Sequence, residues 1–356
     1  MSLYVKIRRR AGKFRLDAEF EAGPGVMGLL GASGCGKSMT LKCIAGVVRP
    51  DEGIISYDGR VFFDSRRKIN LPPQVRGVGL LFQSCALFPN MTLAGNITAV
   101  LRSRKNGGGG NSVSALVKKF HLEGLEGHYP ENMSGGQRQR AALACIMARG
   151  PSVLMLDEPL SALDSYLRWQ LEGELSRVAS EFGGVTLYVS HNRDEVYRMC
   201  SHVCVMNAGR TEAVRTIDAL FESPDTLASC LLSGCKNYSR AARGSVSPRG
   251  IRALDWGTEL ECALRFGPET EYIGVRSHYV RKSETQAGTN VFACRIERVT
   301  RDVFGTIVNV IPLGAPSDGD FSRIRMDMPR EEAEDLRAGD EIYVRIRPED
   351  VMPLKS

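Results

Sequence analysis

Apolar and polar residues alternate over residues 3–7 and 14–20, which predicts two half-buried strands with 8–12 as the turn between them. The apolar run 26–30 does not alternate, so it reads as a strand covered on both faces. Met39, Leu41, Cys43 and Ile44 then follow helical spacing. Residues 50–53 form a turn, and 53–64 alternate as a strand pair around Asp58-Gly59. After Pro72-Pro73 comes a short strand, 78–82, ending at Gln83. Segments 93–102 and 112–120 have helical spacing, and the Gly-rich stretch 105–111 between them reads as a flexible surface connection. Strong helix formers fill 141–148, and 153–156 and 184–189 are further all-apolar strands. Beyond about residue 232 the character changes: 260–266, 272–280, 291–299, 306–311 and 341–347 alternate between Gly, Pro, Ser and Asp. The pattern therefore predicts an α/β domain with an antiparallel β flank over 1–232 and a small all-β, barrel-like domain over 233–356.

Candidate chemistry gathers at the ends of the apolar strands. Gly31, Ala32, Ser33, Gly34, Cys35, Gly36, Lys37 and Ser38 fit the phosphate loop pattern of a glycine, four residues, then Gly-Lys-Ser. Joining a strand to a helix N-terminus, such a loop aims backbone N–H groups at an anion. Lys37 can reach the β- and γ-phosphates, and the Ser38 hydroxyl can complete a Mg²⁺ shell. The strand 153–156 delivers Asp157 and Glu158, a carboxylate suited to the Mg²⁺ shell and one suited to polarising an attacking water. Ser134 is placed as the N-cap of the helix containing 141–148; with Gly135 and Gly136 it is either an ordinary cap or a second anion site. His191, at a strand end, has a structural and a functional reading, as has Phe14, which either stacks on a base or joins the core. Four strands ending near 30, 82, 156 and 189 bring polar groups to one edge, where open parallel sheets bind ligands.

Composition narrows the class. Of 356 residues 43% are hydrophobic, enough for a sizeable core, and the net charge of +6 comes without a dense basic block, so nucleic acid is not indicated. No run of about eighteen apolar residues occurs, and no apolar stretch follows the basic N-terminus, which predicts an intracellular chain without a membrane span. The ten cysteines are scattered through apolar segments and read as reduced core thiols; Cys200, His202 and Cys204 are the nearest approach to zinc spacing, without a fourth ligand.

In these motifs residues 1–232 resemble the ATP-binding cassette (ABC) family. Gly31 to Ser38 resemble its Walker A loop, Gln83 the Q-loop, Met133 to Gln137 the signature, residues 153–158 Walker B, 161–164 the D-loop and His191 the switch histidine. The signature opens with Met133 where Leu is usual. The resemblance implies an ATPase using ATP and Mg²⁺, with Ser38, Gln83 and Asp157 on the metal and Glu158, His191, Gln83 and Lys37 as catalytic residues. It implies nucleotide contacts from residues 31–39, Met39 included, and from Phe14. It also implies a homodimer in which Ser134, Gly135, Gly136 and Gln137 close on the partner's ATP.

The second domain is similar to the accessory domain of bacterial importer ATPases, with Ile273-Gly-Val-Arg276 and Val344-Arg-Ile-Arg347 as a repeated strand end. Leu71-Pro-Pro73, Phe88-Pro-Asn90 and Gly234-Cys-Lys-Asn237 look most like the molybdate importer ATPases. The implied partners are two integral-membrane permease subunits, docked through loop 83–92, and indirectly a solute-binding protein, on the cytoplasmic face of the inner membrane. Sulfate, polyamine or sugar import, export, and a soluble ABC factor of DNA repair or translation are the alternatives; the last predicts a second cassette or a coiled-coil insertion, and the chain has one phosphate loop and no sustained heptads.

Overall fold

The computed structural model describes residues 1–82, 86–103, 112–161, 165–245, 247, 249–264, 266–316 and 321–356, with the backbone alone at 165–167. These form two compact units, 1–217 and 218–356. The first opens with β1 (Leu3–Ala11), β2 (Phe14–Ala22), β3 (Gly25–Leu30) and α1 (Lys37–Ala45). Then come β4 (Glu52–Tyr57), β5 (Arg60–Asp64), β6 (Ile69–Asn70), the one-turn α2 (Pro73–Arg76) and β7 (Val78–Leu81). Helices α3 (Leu93–Arg102), α4 (Val113–Lys119) and α5 (Gly135–Arg149) precede β8 (Val153–Asp157), α6 (Ser165–Phe182) and β9 (Val185–Ser190). The unit closes with α7 (Arg193–Met199), β10 (His202–Asn207), β11 (Arg210–Thr211) and β12 (Arg215–Thr216).

All these strands join one mixed sheet, in the order β6-β5-β4-β1-β2-β11-β10-β3-β9-β8-β7, with β12 also on β10. From β10 to β7 the pairings are parallel, and β8 and β9 are buried at every position, as a strand covered on both faces requires. The flank is antiparallel. There Leu3, Val5 and Ile7 of β1 and Leu16, Ala18 and Phe20 of β2 turn into the core, as their alternation predicts. Residues 8–11 correct the sequence reading: they continue β1 rather than turn, since Arg8 pairs opposite Asp17 with Nε 3.2 Å from its carboxylate. A run of three arginines shows no apolar alternation, and it is backbone pairing with β2 that carries it into the sheet: Arg8 has Asp17 opposite it, but Arg9 faces Leu16 and Arg10 faces Arg15.

In the second unit, α8 (Ile217–Glu222) and α9 (Leu227–Leu232) lead into β13 (Asn237–Arg243), β14 (Gly250–Ala253), β15 (Thr258–Glu261), β16 (Tyr272–Val275) and β17 (Arg281–Ser283). Next are β18 (Val291–Arg301), β19 (Thr306–Pro312), β20 (Ile324–Met328), β21 (Glu341–Arg345) and β22 (Met352–Leu354). Two five-stranded antiparallel sheets result, β15-β14-β13-β16-β22 and β17-β21-β18-β19-β20. Ile251, Ile273 and Val275 of one and Ile296, Val310 and Val344 of the other share a core, around the buried Trp256. The repeated strand end has a structural meaning. Arg276 and Arg347 each start a 3₁₀ turn, Ser277–Tyr279 and Pro348–Asp350, and the strands exchange: β16 pairs β22 and β17 pairs β21.

Residues 218–232, grouped by their pattern with the first domain, lie in the second unit. A Cβ on Gly274 of β16 would stand 2.7 Å from the Cys230 Sγ, so α9 packs directly on that strand. The strands expected over 260–266 and 272–280 are shorter, ending at Glu261 and Val275. Among the described residues, no helix is long and apolar enough to cross a membrane.

Arg76, which no motif marks, ties the flank to α1. Almost wholly buried, it donates from Nη1 to the Cys43 and Ile44 carbonyls at 2.8 Å each, from Nε to Leu71 O at 2.8 Å, and from Nη2 to Asn70 Oδ1 at 2.9 Å. Two of these are last-turn carbonyls of α1, of which Cys43 O also accepts from the Gly46 backbone N–H at 3.1 Å. Replacing Arg76 by Met removes all four of these hydrogen bonds and is expected to cost about 3 kcal/mol. Calorimetry should show the first unit melting about 6 to 12 °C lower; an unchanged transition would dismiss the tie.

Candidate functional site

The phosphate loop leaves β3 at Leu30 and must pass close to β10: a Cβ on Gly31 would fall 2.3 Å from Met206 O. Gly36, at φ 116°, caps α1 in a conformation L side chains avoid, and its Cβ position is walled by Leu16, Phe14 and Met206 at 3.0–3.2 Å. Ala32, Ser33 and Gly34 face solvent, Cys35 is buried, and Ser38 and Met39 are half-buried. Burial pushes the Cys35 thiol up. Lys37 is only 4% exposed. Its ammonium donates to Gly31 O at 2.7 Å and Ala32 O at 3.0 Å, so the loop closes around it.

Sheet order decides which strand ends meet. Because β9 lies between β3 and β8, His191 emerges between the phosphate loop and the Asp157-Glu158 pair. The Ser38 hydroxyl donates to Asp157 Oδ1 at 2.9 Å, across 119 residues of sequence. Glu158 Oε1 is 3.2 Å from His191 Nδ1 and 3.9 Å from Lys37 Nζ. The Glu158 backbone N–H donates to Val189 O at 2.9 Å and its φ is 47°, a left-handed conformation held by that continued ladder. Burial pushes the Asp157 carboxyl up; the Ser38 hydrogen bond opposes this and the Glu158 charge adds to it.

Ser134 does cap α5. Its Oγ accepts from Gln137 N at 3.3 Å while Gln137 Oε1 accepts from Ser134 N at 2.8 Å, leaving the N–H groups of Gly135 and Gly136 at a helix N-terminus. Among the described residues no hydrogen bond joins Ser134–Gln137 to the phosphate loop. Phe14 is half-buried with its ring edge 3.1 Å from the Gly36 Cβ position, so it packs under the loop. Gln83 and residues 162–164 of the D-loop segment lie outside the described residues. Cys200 and Cys204 are buried core thiols while His202 is exposed, and among the described residues no three potential ligands assemble a metal site.

Two polar residues escaped the sequence reading. Gln139, buried in α5, donates through Nε2 to Pro159 O at 2.5 Å, tying the signature helix to the turn after Glu158. Asn96 of α3 clamps the loop before it: Oδ1 accepts from Phe88 N at 2.7 Å, and Nδ2 faces the carbonyls of Phe88, Met91 and Thr92 at 3.0–3.2 Å. A lone amide at an otherwise apolar helical position was the available signal for each.

A family model described as "ABC transporter" matches residues 15–161. The sulfate/thiosulfate import ATP-binding protein CysA of Caulobacter vibrioides is 36% identical over 338 residues, 93% of this chain and 92% of that protein. The molybdenum import ATP-binding protein ModC of Paramagnetospirillum magneticum is 39% identical over 222 residues, 62% of this chain and 61% of its own length. The spermidine/putrescine import ATP-binding protein PotA of Thermobifida fusca is 33% identical over 302 residues, covering 84% and 75%. The chain thus spans about three-fifths of the molybdenum relative and about nine-tenths of the sulfate relative. Among solved structures, the dimeric bacterial ABC transporter cassette MJ0796 superposes with a TM-score of 0.51 at 23% identity, covering 61% of this chain and 99% of that one.

A raised carboxyl favours the folded state only while protonated. Its contribution is therefore full below the ordinary value of 3.8 and is lost as pH rises through the folded value. Asp157→Asn, without nucleotide or divalent cation, is expected to melt higher than wild type at pH 7 and to converge with it toward pH 4. Thermal melts across that range check the sign; a variant less stable at pH 7 would refute it.

Proposed function

The chain belongs to the ABC transporter family as an import-type ATPase, and on that footing we propose that it hydrolyses ATP to drive oxyanion import, with molybdate or tungstate as cargo. The observation carrying the chemistry is the convergence of Lys37, Ser38, Asp157, Glu158 and His191 at one sheet edge, with Ser38 Oγ 2.9 Å from Asp157 and His191 3.2 Å from Glu158. Glu158 orients and polarises the water that attacks the γ-phosphate, His191 holds the far side of that phosphate through its imidazole, and Lys37 neutralises charge on the leaving oxygens. Ser38 and Asp157 supply adjacent hard oxygen donors, the set that suits Mg²⁺. Mg²⁺ held there would supply positive charge to offset that of the phosphates. Gln83 joins that shell in the same reading, and Phe14 supports the loop against which the base lies.

The N–H groups of Gly135 and Gly136, in the first turn of α5 where a helix has no acceptors of its own for them, support a head-to-tail homodimer in which each signature helix closes on the partner's ATP. Two permease subunits complete the assembly at the cytoplasmic face of the inner membrane, fed by a solute-binding protein. Loop 86–92 supports the docking role, since Asn96 holds its backbone while Phe88 stays 54% exposed. A cavity of about 350 Å³ opens beside it, lined by Val47, Leu81, Phe82, Val100 and Cys145 together with Gln74 and Arg149, room for one or two side chains of a docking segment. Sulfate is the second reading for cargo. The sulfate relative aligns over 93% of this chain, second unit included, and the molybdenum relative over 62%.

Glu158→Gln is expected to retain ATP binding and lose at least ~100-fold in kcat. In cells with the native permease, the variant should abolish molybdate or tungstate uptake that excess sulfate does not inhibit. Sulfate competition would move the cargo to the second reading, and uptake of all three anions independent of Glu158 would end the oxyanion assignment. Phe88→Ala should lower transport while purified ATPase activity stays within about twofold of wild type, the mark of an uncoupled dock; full transport by that variant would remove the loop's role.

A further inference from the structure

Behind His191 stands a buried carboxylate that the proposed chemistry does not use. Glu195, on the first turn of α7, is 4% exposed, and among the described residues its carboxylate meets donors. Tyr188 and Ser190 donate their hydroxyls to Oε2 at 3.1 and 2.8 Å, and Asn192 Nδ2 donates to Oε1 at 3.2 Å. Arg168 of α6 brings its Nε to 3.9 Å from Oε1. These contacts bracket the histidine on both sides. With its O–H directed at Glu195, Ser190 Oγ accepts from Asn192 N at 2.9 Å, closing a ring of contacts around residue 191. With Nδ2 held by Glu195, the Asn192 Oδ1 turns to cap α7, accepting from Asp194 N at 2.9 Å and Glu195 N at 3.4 Å.

The geometry points to Glu195 as the positioning residue of His191: its carboxylate fixes the chain reversal that holds the ring 3.2 Å from Glu158, and through Arg168 it joins that reversal to α6. The identity of the group matters, because only a carboxylate offers acceptors on both oxygens. A glutamine keeps the shape, but its NH₂ either meets the donors of Asn192 and Arg168 or faces Tyr188 and Ser190, whose hydroxyls must then reverse to accept and give up their own acceptor. His191 itself is exposed, its side chain at 55%, with Glu158 3.2 Å from its Nδ1. Its direction is set from below.

This inference rests on the ATPase reading for its consequence in turnover, so the test has two arms. The chain has five histidines, few enough for ¹³C-histidine NMR to resolve each ring, with His191 assigned by its loss in His191→Ala. In Glu195→Gln the His191 Cε1–H signal is expected to shift and broaden while the other histidines stay in place. Ser190→Ala, which cuts the same ring of contacts while keeping the buried charge paired to Arg168 and Asn192, should move it in the same way and serves if Glu195→Gln does not fold. In the kinetic arm Glu195→Gln should lower kcat about tenfold with KM for ATP within about twofold, and should cost nothing further in a His191→Ala background. An unmoved His191 signal in the folded variants, or the same tenfold loss without His191, overturns the assignment. Wild-type protein that hydrolyses no ATP would sink the ATPase reading instead, and the NMR arm would still decide this one.

Discussion

An ammonium group that is 4% exposed needs compensation from every direction, and the compensation of Lys37 organises the first unit. Two carbonyls of its own loop supply part of it, and Glu158, 3.9 Å away, supplies opposite charge. Those groups converge only if the loop curls tightly against β10 and if the strand carrying Glu158 lies one strand away from the strand carrying the loop. The parallel order β3-β9-β8 meets both conditions. It also leaves Asp157 buried beside Ser38 with a raised carboxyl, a charge arrangement that is costly in the empty protein and suited to a bound cation.

The same economy of buried polar groups recurs away from the phosphate loop. Arg76, Asn96, Gln139 and Glu195 are each almost fully buried, and each satisfies backbone or side-chain partners on a different element. They connect, in turn, the flank to α1, the loop 86–92 to α3, α5 to the turn after Glu158, and β9 to α7. Moving parts of a nucleotide-driven machine have to be joined by links that are directional and specific, which hydrogen bonds supply and apolar packing does not.

In the second unit the strand–Arg–3₁₀ repeat shows how a short sequence echo becomes architecture. Ile273 to Arg276 and Val344 to Arg347 are alike because each must leave a strand, turn once and enter a strand of the opposite sheet. Asn237 uses its amide to pair with Arg325 N and O at 2.7 and 2.8 Å, one more buried polar link between the two sheets.

Periodicity alone determined the parallel strands, the helix after the phosphate loop and the all-β character of the second unit, because burial on one or two faces writes a period into the chain. The motif Gly31 to Ser38 and the pair Asp157-Glu158 were legible for the same kind of reason: their chemistry lies in contiguous residues. Arg8 to Arg10 were misread as a turn because their strand is held by backbone pairing with the neighbouring strand, which no local pattern records. The placement of 218–232 was likewise decided by a contact, Cys230 against Gly274, between residues far apart in the chain. Only the tertiary structure could decide that Ser38 meets Asp157, that His191 meets Glu158, and that Glu195 stands behind them. Those meetings depend on which strands are neighbours, and strand order is set by the packing of the whole sheet.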